Sequence, residues 1–296
     1  MQPELPAWVD GWCDAFLGAR PGEAVFVVAH LSEVVALRLQ DGREVVVKRR
    51  VDESGRAQSC VTAQRLLAEG GFPCPMPVTT VVFGDGFAVH AERFVRGGEL
   101  DNEDTPAAAA RSAALLSDLV RRLSVAQIDP PLPNPEWVRW DLPPERHAAS
   151  VVPAWIEETS RRVQAKLVGS DLPPVLGHAD WEAQNMRWQL GEPLAVHDWD
   201  SLAWLPEAAL AGTAAGVFAS HGKPTLAPLE GSEAFLEAYE LGRGARFSSH
   251  ESEVAWAASL WVALHNARDE LIYHRPSLSF EQLKAQRAER LARARA

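Results

Sequence analysis

The segment Gly177-His178-Ala179-Asp180-Trp181-Glu182-Ala183-Gln184-Asn185, followed after two short apolar runs by His197-Asp198-Trp199-Asp200, decides how this 296-residue chain is read. A carboxylate two residues after a histidine, and an amide five residues after that carboxylate, put two kinds of oxygen on one loop. The Asp180 carboxylate is suited to take a proton from a hydroxyl group, and the amide oxygen of Asn185 suits a hard cation. The runs Met186 to Leu190 and Leu194 to His197 flank Gly191 and predict a hairpin, which brings the second carboxylate, Asp198, toward the same cation. Mg²⁺ takes six oxygens and keeps waters, so one Asp, one Asn and phosphate oxygens suffice without a His ligand. With 9 His, 15 Asp and 4 Asn in the chain, the three-residue pattern arises by chance on the order of one per cent of the time.

Working outward, short Val-rich runs at Val25 to Leu31, Val34 to Leu39 and Val45 to Val47, with the turn Asp41-Gly42, predict hairpin-linked strands leading into Lys48. Residues 57 to 69 lack Gly and Pro and place Cys60, Ala63 and Leu67 on one helical face, before Gly70-Gly71 stops the helix. Val78 to Phe83 and Phe87 to Val95, separated by Gly84-Asp85-Gly86, read as another hairpin. After Arg96-Gly97-Gly98 the texture becomes helical: Thr105-Pro106 opens a helix carrying Leu116, Leu119, Val120 and Leu123, and residues 153 to 168 form another. Val254, Ala257, Ala258, Trp261 and Leu264 trace the buried face of one late helix. Glu281 to Ala296, with Arg287, Arg290 and Arg293 three apart, reads as a solvated basic helix. In the Pro-rich loop from Asp129 to Pro144, Trp137 and Trp140 are expected to pack onto a neighbouring helix. The predicted class is α+β: residues 1–98 a small antiparallel sheet with one helix, 99–280 a larger, mainly helical part, and 281–296 a basic helix or tail.

Charge limits the function. The net charge is −11, and it is concentrated: −2 in residues 1–98, −12 in 99–280 and +3 in 281–296. An acidic chain argues against nucleic acid as a partner and favours cationic small molecules. No apolar run approaches the roughly 18 residues that span a bilayer, and the start lacks a basic segment followed by an apolar one, so a cytoplasmic protein without a membrane partner is expected. Cys13, Cys60 and Cys74 have neither disulfide nor zinc spacing and read as buried apolar residues. The oligomeric state is not legible.

The His-x-Asp-x-x-x-x-Asn loop, the second Asp at a strand end and the lysine after Val45-Val46-Val47 together resemble the aminoglycoside phosphotransferase family of the protein-kinase-like fold, over nearly the whole chain. The resemblance implies a two-lobed kinase that moves the γ-phosphoryl of ATP or GTP, with Mg²⁺, onto a hydroxyl of a small acceptor. Asp180 would orient the hydroxyl, Asn185 and Asp198 would hold the metal, and Lys48 would hold nucleotide phosphates. Glu92, Arg93 and Phe94 correspond to the connector whose backbone meets adenine, and His30 to Val34, with the Ser32 hydroxyl, to the phosphate-covering loop. Asp200 is a second metal contact or a hydrogen-bond acceptor behind the metal ligands, and with His265, Asp269 and Glu270 it is a candidate for binding the acceptor. The late helix with His265, Asn266, Asp269 and Glu270 corresponds to a region that borders the acceptor pocket, so a preference for an amine-bearing acceptor, such as an amino sugar or aminoglycoside, is expected.

The departures from that pattern are equally specific. The loop reads His-Ala-Asp instead of His-Gly-Asp, and the extra methyl group requires that Ala179 avoid the left-handed region. The helix that would supply a Glu partner for Lys48 offers Gln58, Cys60 and Gln64, with Glu69 at its end and Glu53 before it, so the ion pair is unassigned and without it a neutral amide would hold the lysine. After the metal Asp, the only acidic residue in Pro206-Glu207-Ala208-Ala209-Leu210 is Glu207. His30 to Val34 contains no glycine, and together with the missing helix Glu this would also fit a nucleotide-binding pseudokinase or regulatory module without turnover. A metal phosphohydrolase built on His178, His197 and Asp198 is a third reading, and it leaves Asn185 unexplained. His178 and His197 are otherwise expected to be structural, and Trp181, Trp188, Trp199 and Trp204 to be packing residues.

Overall fold

Alternation of Val and Ala with polar residues builds a five-stranded antiparallel sheet from β1 (Pro21–Ala29), β2 (Glu33–Leu39), β3 (Glu44–Val51), β4 (Val82–Gly84) and β5 (Phe87–Arg93), in the spatial order β1-β2-β3-β5-β4. The computed structural model describes residues 3–29, 32–128, 132–140 and 151–296. Because side chains alternate across a strand, one face collects Val35, Leu37, Leu39, Val45, Val47, Val89 and Ala91. These pack on Val9, Trp12, Cys13 and Leu17 of α1 (Ala7–Leu17). The opposite face carries Val46, Lys48, Arg50, Ala88, His90 and Glu92, and α2 (Ala57–Glu69) lies on it through Ala57 and Val61, against Val81 and Ala88. The start of α2 is capped from a distance, since the Asp52 carboxylate accepts from the backbone N–H groups of Arg56 (3.0 Å) and Ala57 (2.7 Å).

The Val78 to Phe83 strand begins only at Val82. Before it the chain meets β5 irregularly: Val78 N–H donates to the Ala91 carbonyl at 2.8 Å, and the Thr79 hydroxyl, not a backbone carbonyl, accepts from Ala91 N–H at 2.9 Å. A side chain takes a ladder position there, and regular pairing cannot start.

The remaining elements are α3 (Pro106–Leu123), α4 (Ala154–Val168), β6 (Pro174–His178), β7 (Met186–Gln189), β8 (Glu192–Val196), β9 (Leu202–Pro206), α5 (Glu207–Val217), α6 (Leu229–Arg243), α7 (Ser249–Ala258), α8 (Trp261–Tyr273) and α9 (Ser279–Ala294). β6 pairs with β9, and β7 with β8 in the hairpin read from Gly191. Thr105 caps α3, accepting from Ala108 N–H at 3.3 Å, and α3 packs chiefly on α6.

Two expectations are corrected here. The single late helix is two, α7 and α8, broken at Ser259-Leu260. Gly216 of α5 lies so close that an added Cβ would sit 2.3 Å from the Ser259 carbonyl, and the Ser259 hydroxyl donates to the Trp256 carbonyl while accepting from Arg290 Nη1. The basic C-terminal helix is not a solvated one: Leu283, Arg290, Leu291 and Ala294 of α9 are buried, and the helix packs on α7 and α8. Arg290 is wholly enclosed and donates to the Ala227 carbonyl (2.7 Å) and to the Ser232 (2.9 Å) and Ser259 (2.8 Å) hydroxyls. Burial lowers its guanidinium pKa to about 9. An Arg repeat at helical spacing does not reveal which member turns inward.

The chain divides into two compact units. One comprises residues 1–97, 126–133 and 194–200; the other comprises 98–125, 134–193 and 201–296. Among the described residues no helix is long and apolar enough to cross a membrane.

Candidate active site

In the first unit, Lys48 lies opposite His90 in the β3–β5 ladder and Glu92 lies opposite Val46. Lys48 and Glu92 are therefore diagonal neighbours on one face, within reach of long side chains. Lys48 Nζ stands 2.9 Å from Glu92 Oε1, with the Glu92 side chain 1% exposed and that of Lys48 16% exposed. Gln64 of α2 donates through Nε2 to Glu92 Oε2 at 2.8 Å and to the Pro75 carbonyl at 2.7 Å. The neutral amide expected at Lys48 is thus one step removed: a carboxylate from the sheet meets the lysine, and the amide holds the carboxylate. Burial raises the Glu92 pKa, but the charge of Lys48, with His90 and the Gln64 and Lys48 hydrogen bonds, outweighs it and holds the carboxyl below its ordinary value. Burial first, and then the Lys48 and Arg50 charges, depress His90 to about 3, so it is neutral beside the pair.

The same unit holds the segment with Asp198. Val196 N–H donates to the Pro73 carbonyl at 2.8 Å, Trp199 Nε1 donates to the Val196 carbonyl at 2.9 Å, and the Trp199 ring meets Phe72 edge-on at 6.0 Å. Asp198 itself takes a left-handed φ of 62°, a strained conformation that Asp tolerates better than most residues. The Asp200 carboxylate is ion-paired with Arg50, and its carbonyl accepts from the Arg56 guanidinium, which also donates to the Pro133 carbonyl. Asp200 thus answers a sheet cation. Lys48, Arg50, Gln64, His90, Trp199 and Asp200 line one small cavity.

In the second unit, β6 carries the chain to His178, which pairs with Leu202 of β9, and Ala179 N–H donates to the Ser201 carbonyl at 2.9 Å. Ala179 is not among the described residues with positive φ, and this accommodates its methyl group. Asp180 follows at once, and its loop turns back on itself: Glu182 N–H donates to the Asp180 carbonyl (3.1 Å) and Asn185 N–H to the Glu182 carbonyl (3.0 Å). Asn185 Nδ2 donates to both the carbonyl (2.9 Å) and Oδ2 (2.8 Å) of Asp180. Both partners are acceptors, so the amide orientation is fixed with Oδ1 directed elsewhere as a hard oxygen donor, which suits the Mg²⁺ role implied for this residue. Trp181 is buried and anchors the loop on α3, donating to the Ser112 hydroxyl at 2.9 Å, and buried His178 meets its ring edge-on at 5.7 Å. Gly177 lies against Leu210 of α5, where a Cβ would fall 2.2 Å from Leu210 Cδ2. Burial and the adjacent Asp180 charge push the Glu182 carboxyl well above the usual carboxylate range, opposed by a hydrogen bond from Gln184.

The other candidates are distributed as follows. Ser32, between β1 and β2, is half-buried, and His30 and Leu31 of the same loop lie outside the described residues. The backbone N–H groups of Arg93 and Phe94 are engaged by the Met76 (2.8 Å) and Glu44 (3.1 Å) carbonyls, and the Phe94 ring meets Phe26 edge-on at 6.0 Å. On α8, Asp269 pairs with Arg275 at 2.9 Å and His265 stacks edge-on against Trp261 at 4.6 Å. Glu270 keeps a buried carboxylate oxygen that has no hydrogen-bond partner among the described residues. Glu207 accepts from the Tyr239 hydroxyl (3.1 Å) and pairs with Arg243 (3.0 Å), a bracing role inside the second unit. Trp181, Trp188 and Trp199 are buried as packing residues, whereas Trp204 is 42% exposed. Trp140 meets Trp261 edge-on at 6.5 Å and Trp137 is exposed; residues 129–131 and 141–144 of their Pro-rich loop lie outside the described residues. All three cysteines are free, and Cys13 and Cys60 are buried. Among the described residues no three His, Cys, Asp or Glu side chains gather as a metal cluster.

Sequence reasoning missed Arg50, Arg56 and Glu182. Arg50 had a signal, since it stands two residues after Lys48 and so shares its face; Glu182 has none, because burial of a loop carboxylate follows from tertiary packing.

Comparison with known proteins identifies the family and the fold. The model of the phosphotransferase enzyme family matches residues 28–209. No curated protein is similar enough in sequence to count as a relative. Among solved structures, the amicoumacin kinase hAmiN in complex with AMP-PNP, Ca²⁺ and Ami superposes with a TM-score of 0.63 at 13% identity, covering 90% of this chain and 87% of that one. A thermostable mutant of aminoglycoside phosphotransferase APH(4)-Ia, in its apo form, gives 0.59 at 15% identity, covering 97% and 98%. A choline/ethanolamine kinase family protein from Mesorhizobium loti gives 0.59 at 15% identity, covering 93% and 89%. At these identities the likeness establishes the protein-kinase-like α+β fold.

Proposed function

The chain belongs to the phosphotransferase enzyme family and is an ATP-dependent phosphotransferase with an alcohol group as acceptor; from that premise we propose that its acceptor is a small, amine-bearing hydroxyl compound such as an amino sugar or aminoglycoside. The observation that carries the reading is the Asp180–Asn185 hydrogen bond, which holds a carboxylate and an amide in one fixed turn, as in-line transfer to a hydroxyl requires. In the proposed reaction the acceptor oxygen bonds to the γ-phosphorus, the bond from that phosphorus to the β,γ-bridging oxygen breaks, and the nucleoside diphosphate leaves with the electron pair. Asp180 orients the hydroxyl and receives its proton. Lys48 holds phosphate oxygens of ATP or GTP, with residues 1–98 serving the nucleotide and 99–280 the acceptor. Asn185 and Asp198 are the protein's oxygen ligands for Mg²⁺, which when bound neutralises charge on the phosphates.

The reading of nucleotide binding without turnover rested on a missing Glu partner for Lys48 and on a phosphate-covering loop without glycine, and Glu92 removes the first of these grounds. An amine-bearing acceptor is supported by the −12 charge of residues 99–280 and by the buried carboxylate oxygen of Glu270, which has no hydrogen-bond partner among the described residues. The choline/ethanolamine kinase family protein among the similar folds bears a name for amine-bearing alcohols, which accords with it. The test is a mass-spectrometric screen for phosphorylated products from a broad panel of hydroxyl compounds with ATP, GTP and Mg²⁺. Products gaining one phosphoryl group from amine-bearing members are expected; transfer to neutral sugars alone would reject the acceptor class.

A further inference from the structure

We propose that Glu92 of β5 is the positioning residue for Lys48, and that α2 acts on the lysine only through the Gln64 amide, so that the phosphate-holding lysine is set by sheet register and not by the docking of a helix. The inference rests on the kinase reading for its purpose and on the sheet for its argument. Lys48 and Glu92 are two residues removed from direct opposition in a ladder whose register runs unbroken from Val45–Arg93 to Val51–Phe87. Their separation is therefore fixed by hydrogen bonds between two strands. A partner carried on a helix would instead depend on where the helix lies.

Gln64 is suited to the supporting part. Its Nε2 is committed to two acceptors, the Pro75 carbonyl and Glu92 Oε2, and a carboxylate at position 64 would face both with like polarity. The helix thus excludes a charge of its own there. The rest of this face agrees: Arg50 is taken up by Asp200, and His90 is neutral, so Glu92 is left to Lys48. An ammonium has three donors, and Glu92 engages one, leaving others for phosphate oxygens.

The experiment compares wild type, Glu92→Gln, Glu92→Asp and Gln64→Met by two readouts. The first is the rate at which Lys48 Nζ is acylated by acetic anhydride, followed by mass spectrometry, which needs no catalytic activity. The second is the affinity for mant-ATP with Mg²⁺. Glu92→Gln should speed acylation by about threefold or more and weaken mant-ATP by about tenfold, with partial recovery of both in Glu92→Asp. Gln64→Met should stay within about threefold of wild type in both, since it removes the support and keeps the carboxylate. Wild-type values in a folded Glu92→Gln protein would overturn the proposal, and so would a Gln64→Met defect as large as that of Glu92→Gln. If Glu92→Gln does not fold, thermal melting of the Glu92→Gln/Lys48→Met double variant decides: recovery of folding supports the pair, and a double variant no better than the single overturns it. A wild type that transfers no phosphoryl group would overturn the kinase reading, while the acylation rates would still decide whether Glu92 positions Lys48.

Discussion

Asn185 Nδ2 lies 2.8 Å from Asp180 Oδ2 and 2.9 Å from the Asp180 carbonyl, so one amide fixes the direction of the carboxylate and the curvature of the loop that presents it. The two residues therefore have separable effects. Asp180→Ala should lower kcat by a factor on the order of 10² to 10⁴ with little change in Mg-nucleotide affinity, because in the proposed reaction it removes the proton acceptor and not a phosphate contact. Asn185→Ala should lower kcat and also raise the Mg²⁺ concentration needed for half-maximal rate. Wild-type turnover in Asp180→Ala would remove that residue from the role.

Much of this arrangement was legible in the sequence. The helix over 57–69, the capped helix opening at Thr105-Pro106 and the hairpin around Gly191 are local patterns, and local patterns survive folding. The His-x-Asp-x-x-x-x-Asn spacing is local as well, and the hydrogen bond from Asn185 to Asp180 spans only those five residues. The Lys48–Glu92 pair could not be read the same way. Its partners are 44 positions apart, and they meet only because β5 pairs with β3 in one particular register. The sequence of the helix carries no trace of it. The break at Ser259 was hidden for a related reason: it lies where Gly216 of α5 comes close to the Ser259 carbonyl, a contact that leaves no mark on the periodicity of residues 254–264. The α1 helix has a signal in Val9, Trp12, Cys13 and Leu17, which are apolar at helical spacing.

Asp198 and Asp200 are separated by one residue and are expected to respond differently. Asp200 neutralises Arg50 and is held by Arg56, whereas Asp198 carries the proposed metal contact. Asp198→Ala should bring nucleotide affinity measured with Mg²⁺ down toward the metal-free value. Asp200→Asn should keep the Mg²⁺ dependence while lowering stability, since it leaves Arg50 without its counter-charge. Titration calorimetry with and without Mg²⁺ on both variants checks this, and an unchanged Mg²⁺ dependence in Asp198→Ala would rule out the metal assignment.

The buried His90 makes stability depend on pH. Its folded pKa is depressed to about 3, from an ordinary value near 6.5, by burial and by Lys48 and Arg50. Between those values the unfolded chain binds a proton that the folded one refuses, so stability rises with pH and is lost as pH falls from about 6.5 toward 3. The lowered pKa of Glu92 acts in the same direction at the acid end of that window, since its ionised form is favoured by folding. Thermal melting of wild type and His90→Gln between pH 7 and pH 4 should show a smaller drop in Tm for the variant. Parallel curves would mean that His90 does not contribute.

Two glycines test how tightly the helices meet. Gly212 of α5 would place a Cβ 2.0 Å from the Ala255 carbonyl of α7, a backbone atom that cannot turn aside. Gly212→Ala should destabilise by about 3 kcal/mol or more. Gly11, inside α1 and with nothing within 4 Å of an added Cβ, should behave oppositely, and Gly11→Ala should gain about 0.5 to 1 kcal/mol from helix propensity. Urea unfolding of both variants gives the comparison, and a neutral Gly212→Ala would contradict the close α5–α7 packing.

The proposed acceptor preference rests on charge, and Asp269 and Glu270 are expected to contribute to it differently. Asp269 is paired with Arg275 on the surface, whereas Glu270 of the same helix retains a buried carboxylate oxygen without a hydrogen-bond partner among the described residues. A buried acceptor left open is costly unless a ligand completes it, and an ammonium group would do so with a charge-assisted hydrogen bond. Asp269→Asn should therefore change kcat/KM for an amine-bearing acceptor by less than about twofold, because exposed pairs contribute little. Glu270→Gln should raise the acceptor KM by about tenfold or more, as expected for loss of a buried charged contact, with the nucleotide KM unchanged. The −12 charge of residues 99–280 adds a longer-range pull, so kcat/KM should also fall from low to physiological ionic strength, where fields are screened over about 8 to 10 Å. Steady-state kinetics of the two variants at two salt concentrations separates the contributions. A neutral acceptor, or full activity in Glu270→Gln together with no salt effect, would sink the cationic-acceptor reading and leave the phosphoryl-transfer assignment of Asp180 standing.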